Sequence, residues 1–213
     1  MRFAPILALL SCLVASSCGA ASTQQAADET AVVAAPPIET IDEPAPPHFA
    51  YFPAPGEFAE AIRPAKDSEP RKIARLRLTA RGPKSQAFLI AWRNRADKLC
   101  LADSVVTEGR GGGGGPFGPC VPAGYGRCDA ICLSLKGTGG EQKWLYTIVG
   151  VVASKADALR ITFDDGEVIT YELAGPVVAG FPEHRVFMLD LGRDPEAPRI
   201  ELLAKEKVIA TWP

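Results

Sequence analysis

The residues best suited to chemistry in this 213-residue chain are its cysteines. Cys100, Cys120, Cys128 and Cys132 lie within 33 residues, with 19, 7 and 3 residues between them. Structural zinc sites pair their cysteines in Cys-x₂₋₄-Cys knuckles, and two such knuckles are not present here. An even set in an exported domain reads instead as two disulfides with three possible connectivities. On one continuous strand Cys128 and Cys132 would stand about 13 Å apart, too far to bridge. The expected pairing is therefore Cys100–Cys132 across two strands and Cys120–Cys128 closing a loop. Each bridge would add ~2–4 kcal/mol.

Other reactive constellations are sparse. The body holds one histidine, His184, in the turn-like stretch Phe181-Pro182-Glu183-His184, where a surface position is expected. No G-x-S-x-G elbow and no His-Glu-x-x-His occurs, which removes two hydrolase classes. Asp164-Asp165 reads as turn chemistry, because Asp favours such positions. The run Gly111–Gly115 formally contains G-x-G-x-x-G, but no helix and no Gly-Lys-Ser/Thr follow, so it is not a phosphate cradle. It is expected to be a surface loop held at its ends by disulfides. As a mobile contact loop it would use Gly111, Gly112 and Gly113, with Phe117 and Tyr125 as anchors. No catalytic residue, metal ligand or cofactor is assigned.

The chain begins with Arg2, a mostly apolar run from Phe3 to Ala15, and Ala15-Ser16-Ser17-Cys18-Gly19-Ala20. The run is the length of a signal-peptide core and shorter than the roughly 20 residues that span a bilayer. The segment resembles the leader and lipobox of a bacterial lipoprotein precursor. That resemblance implies a signal peptide over 1–18, acylation at Cys18, and a protein anchored to the cell membrane outside the cytoplasm. A secreted or periplasmic soluble protein, cut near Ala20, is the alternative.

Behind the leader the charge is unevenly spread, although the net charge is only −2. Residues 19–62 carry Asp28, Glu29, Glu39, Asp42, Glu43, Glu57 and Glu60 with no Lys or Arg. Rich in Ala and Pro, they read as a disordered acidic tether. Within it, His48–Pro53 is an aromatic cluster that either clips onto the head or docks a partner. Residues 63–213 form the expected single domain, with 22 basic and 18 acidic side chains.

The elements of that domain read as β. Ala74, Leu76, Leu78 and Ala80 alternate with Arg75, Arg77, Thr79 and Arg81, a strand with one buried and one cationic face. The cationic face suits an anionic lipid or wall polymer, or is simply solvated. Gln86–Trp92 and Lys98–Val106 flank a polar turn at Asn94–Asp97. Trp144–Ala153 is apolar enough to be a central strand covered on both faces. Leu159–Leu173 forms a hairpin whose three-residue turn, Asp164-Asp165-Gly166, keeps Leu159, Ile161 and Phe163 beside Ile169, Tyr171 and Leu173, with Gly166 in the left-handed conformation. Arg185–Leu191 and Arg199–Trp212 supply further strands, the latter folding back at Lys205-Glu206. The Asp-Gly hairpin region resembles β-rich secreted actinobacterial proteins over about the last 70 residues. The fold class is mostly β: an antiparallel sandwich or barrel-like head.

These readings favour a non-catalytic envelope binding module whose partner is an envelope protein or anionic polymer and not nucleic acid. The alternatives are an exported hydrolase that uses carboxylates, and an inhibitor or immunity module.

Overall fold

The computed structural model describes residues 31–45, 63–107, 110–117, 120, 130–140, 143–193 and 197–212. Fourteen strands occur among them. They are β1 (Ala31–Ala34), β2 (Glu39–Pro44), β3 (Arg71–Arg77), β4 (Gln86–Arg93), β5 (Leu99–Thr107), β6 (Arg110–Phe117) and β7 (Ile131–Gly140), followed by β8 (Lys143–Ala153), β9 (Ala158–Thr162), β10 (Val168–Glu172), β11 (Val177–Val178), β12 (Phe181–Asp190), β13 (Arg199–Ala204) and β14 (Lys207–Trp212).

The strands form three open sheets. Sheet I has the order β2-β3-β4-β5-β6, sheet II β11-β12-β8-β7, and sheet III β1-β10-β9-β13-β14. All pairings are antiparallel except β1 with β10. Sheet II lies between the other two, so the head is a sandwich with a shared middle layer. Alternation along its strands sends successive side chains to opposite cores. Val149, Val151, Val186 and Met188 join Leu76, Leu89 and Leu101 of sheet I. Ile148, Val152, Phe187 and Leu189 join Leu159, Ile161, Ile200 and Leu202 of sheet III. The run expected to be covered on both faces is β8, and residues 147–152 are all buried. A third, smaller cluster of Ile90, Trp92, Cys100, Ala102 and Cys120 covers the outer face of sheet I.

The Leu159–Leu173 hairpin has the expected register, with Ile161 opposite Ile169 and Leu159 opposite Tyr171. Phe163 N–H donates to Glu167 O at 2.9 Å, closing the three-residue turn, and Gly166 has φ +84°. Lys205 and Glu206 make the β13–β14 turn at φ +50° and +66°, and Asp157 Oδ2 accepts the Lys205 amide at 2.7 Å.

Four expectations are corrected. Residues 31–45 are not tether: β1 pairs with β10 and β2 with β3, drawn in by Ile38, which packs on the first core. Gly111, Gly112 and Gly113 are not loop but belong to β6, paired with β5. The ladder needs only backbone groups, so a run without side chains can fill it. The disulfide is Cys100–Cys120, with Cα atoms 4.8 Å apart. Its cause is the same pairing: β6 runs back along β5, sets Phe117 opposite Leu101, and so returns Cys120 beside Cys100. Cys132 also lies in a disulfide, so its partner is not Cys100. Lastly, His184 lies within β12 opposite Ala153 and its side chain is 17% exposed, because β12 begins at Phe181 and not after the expected turn.

Candidate functional site

The candidate site is a cleft where the edges of sheets I and II meet. It begins with the acidic segment that sequence reasoning assigned to the tether. Glu39, Asp42 and Glu43 are spaced so that, read antiparallel, they face Arg75, Arg71 and Lys72. Arg75 grips Glu39 with two bonds, Nε to Oε2 at 3.0 Å and Nη2 to Oε1 at 2.6 Å. Such a two-pronged contact holds direction as well as charge. Arg71 Nε donates to the Asp42 carboxylate, and its Nη2 to the Asp42 carbonyl at 3.0 Å. Lys72 reaches Glu43 at 3.3 Å and lies over the Phe88 ring at 4.4 Å. The guanidinium of Arg75 holds the Glu39 carboxyl below its ordinary value, and Glu39 raises the Arg75 pKa in return. The cationic face expected on β3 is therefore largely neutralised within the chain.

A β-bulge shapes this edge. Thr40 pairs with Ala74 and Glu43 with Lys72, so Ile41 and Asp42 together oppose Ile73. Such a bulge re-aims side chains and often borders a site. Beside it lies a cavity of about 500 Å³, within the range of ligand pockets. Ile73, Ala91, Val178, Phe181 and Val186 supply apolar lining, while Asp42, Asp67, Glu69, Arg71 and Arg93 bring both signs of charge. The stretch carrying Asp67 and Glu69 is held by backbone. Arg93 N–H donates to Ser68 Oγ at 2.7 Å, Ala65 N–H to Arg93 O at 2.9 Å, and Ala45 N–H to Pro70 O at 3.1 Å. The Arg93 guanidinium pairs with Asp97 at 2.5 Å and covers the Phe181 ring at 4.8 Å. A second cavity of about 450 Å³ lies at the start of β2, lined by Pro36, Pro37, Ile38, Arg75 and Thr79 among others. Apolar lining with fixed charges of both signs can bind an amphipathic or zwitterionic partner.

The sequence-selected residues are not gathered here. β6, with Gly111, Gly112, Gly113 and Phe117, is the opposite edge of sheet I from β2. The Cys100–Cys120 bridge staples that far hairpin. Cys18, Tyr125, Cys128 and the His48–Pro53 cluster lie outside the described residues. His184 Nδ1 is 3.2 Å from Glu183 Oε1. Asp165 Oδ1 accepts the Glu167 amide at 3.0 Å, which is turn chemistry, and Asp190 binds Arg81 at 2.8 Å. Among the described residues no cluster of three His, Cys, Asp or Glu could hold a metal, and no helix is long and apolar enough to cross a membrane. The site was missed because its halves are 29 to 36 residues apart. Their matched charge spacing was the available signal.

No family model, no curated protein and no solved structure matches the chain.

Proposed function

We propose that this is a cell-envelope lipoprotein, acylated at Cys18, whose β head is a non-catalytic binding module for another envelope component. The observation that carries the reading is the cleft beside β2, with its apolar lining and charged rim of both signs. With β1 starting at Ala31, only residues 19–30 link the head to Cys18. An envelope protein suits the cleft better than an anionic polymer, since Arg71, Lys72 and Arg75 already have carboxylate partners.

The test is a crosslinking pull-down from envelope extracts with the full chain and with Val177→Arg, which places a charge at a half-exposed residue of the cleft. A partner retained by the wild type and lost with V177R supports the module. A partner retained equally by both refutes the cleft as its contact, and no partner at all refutes the module. Cys18→Ser should shift the protein from the membrane to the soluble fraction and abolish labelling by a fatty-acid probe. Unchanged fractionation and labelling would refute the anchor.

A further inference from the structure

We infer that the edge of β3 now covered by β2 is a docking site for an extended acidic polypeptide, and that Glu39–Pro44 occupies it as a stand-in supplied by the chain itself. The inference rests on the reading of the head as a binding module and names the class of its partner.

The grip on β2 is of a kind that can be exchanged. Its six residues, Glu-Thr-Ile-Asp-Glu-Pro, are half-buried or exposed, and only Ile41 is aliphatic. Between its flanking anchors, Ile38 on the first core and Ala45 on the third cluster, it is held by an edge ladder and by ion pairs at the surface. Such pairs weaken in salt, whereas apolar burial does not. The sheet beneath does not depend on it, because β3 is also paired with β4 and keeps Ala74 and Leu76 in the core. Cavities lie along β2 at Thr40–Asp42 and at its start by Glu39, so a strand with larger side chains has room.

The edge also selects its occupant. β3 offers alternating backbone donors and acceptors, which only another polypeptide backbone can match along its length. Arg71, Lys72 and Arg75 then ask for carboxylates at the spacing of Glu39, Asp42 and Glu43. A polyphosphate or an acidic glycan would satisfy the cations and leave the ladder open. The partner is thus an extended peptide with acids at i, i+3 and i+4, and a small or aliphatic residue between them.

The test uses the full chain and a fluorescent peptide of residues 36–46 as probe. In the variant Glu39→Lys/Asp42→Lys/Glu43→Lys the internal strand is repelled. The peptide should bind this variant about tenfold more tightly than the wild type, whose internal strand competes. A peptide with its three acids replaced by lysine should not bind. Equal affinity for the two proteins, or no binding to a variant whose circular dichroism shows it folded, overturns the inference. Hydrogen exchange on the wild type covers a variant that fails to fold. Amides joining β2 to β3 should open in a step faster than β8 and accelerate with added salt. Opening only together with β8 overturns the inference. Failure here combined with a partner lost by V177R would discard the docking edge and keep the module. Peptide binding with V177R indifferent in the pull-down would keep the docking edge and discard the cleft at Val177 as the contact.

Discussion

Replacing Asp190 by Ala should destabilise the head far more than breaking any surface ion pair. Arg81 ends the 3₁₀ turn over Thr79–Arg81, between β3 and β4, and its side chain is 1% exposed. Its Nη2 reaches Asp190 Oδ1 at 2.8 Å and also donates to Thr147 Oγ1. Asp190 and Thr147 are cross-strand partners on β12 and β8, so the guanidinium ties sheet I to sheet II. Removing one partner of a buried pair costs about 3–5 kcal/mol, because the remaining charge loses its carboxylate in a poorly hydrated place. Asp190 keeps 15% of its exposure, which puts the expected loss near the lower end, about 3 kcal/mol. For a head of this size that is a fall in Tm of roughly 6–12 °C. With a urea m-value of about 2–3 kcal/mol/M, the midpoint should move by about 1–1.5 M. The assay is urea unfolding followed by tryptophan fluorescence, with Asp42→Ala at the exposed Arg71 pair as control. Arg81→Met/Asp190→Leu should recover most of the loss, since an apolar pair of similar volume leaves no buried charge. A loss for D190A no larger than that for D42A would refute the assignment of Arg81 as a buried tie between sheets.

Four further outcomes follow from the same geometry. A Cβ on Gly114 would stand 2.0 Å from Asp103 O, so Gly114→Ala must displace β6 and should cost about 1–3 kcal/mol in thermal melts. Gly166→Ala meets nothing within 4 Å but must hold φ +84°, so its cost should be only about 1 kcal/mol, all of it backbone strain. Cys100→Ala/Cys120→Ala opens a loop of 20 residues and should lose about 3 kcal/mol in denaturant titration under non-reducing conditions. The pH response of β2 has a defined sign. Glu39 has a lowered folded pKa, so its contribution to strand docking is complete above its ordinary value of 4.5 and is lost as pH falls through the lower folded value. Hydrogen exchange at β2 should therefore be flat from pH 7 to about 5 after correction for intrinsic rates, and faster below that; Glu39→Gln should remove most of this dependence.

Much of the sandwich is legible in the sequence because its cores are written in local alternation. Ala74 and Leu76 mark a single-faced strand, although the expected alternation runs past its end at Arg77 into the Thr79–Arg81 turn, where Arg81 is buried and not on the cationic face, and the unbroken apolar run at Ile148–Val152 marks a strand between two cores. The Asp164–Gly166 turn is legible for a sharper reason: only a three-residue loop keeps Ile161 and Ile169 on one face. What escaped was carried by backbone or by distance along the chain. A glycine run has no side chains to alternate, so β6 gives no period, and misreading it as a loop also misplaced Cys120. Asp103 shows what could have corrected this. It is fully buried, its Oδ1 accepts the Gly115 amide at 3.1 Å and its Oδ2 faces Ser134 Oγ at 3.4 Å. An acid inside the apolar strand Leu99–Val106 demands donors, and a side-chain-free neighbour strand can bring its amide close enough to supply one.

The acidic segment escaped in a different way, because it was read by composition alone. Proline and alanine with scattered acids are the signature of disorder only while the acids have no partners. Here the same stretch holds Ile38, which packs on the first core, and acids at 39, 42 and 43 that complement bases at 75, 71 and 72. A segment with one apolar anchor and a matched charge pattern can order onto a surface without having a core of its own. Its marginal apolar content then becomes informative: a strand held by charge and ladder bonds beside a single apolar anchor is the strand a competitor of like sequence, carrying the same anchor, can replace.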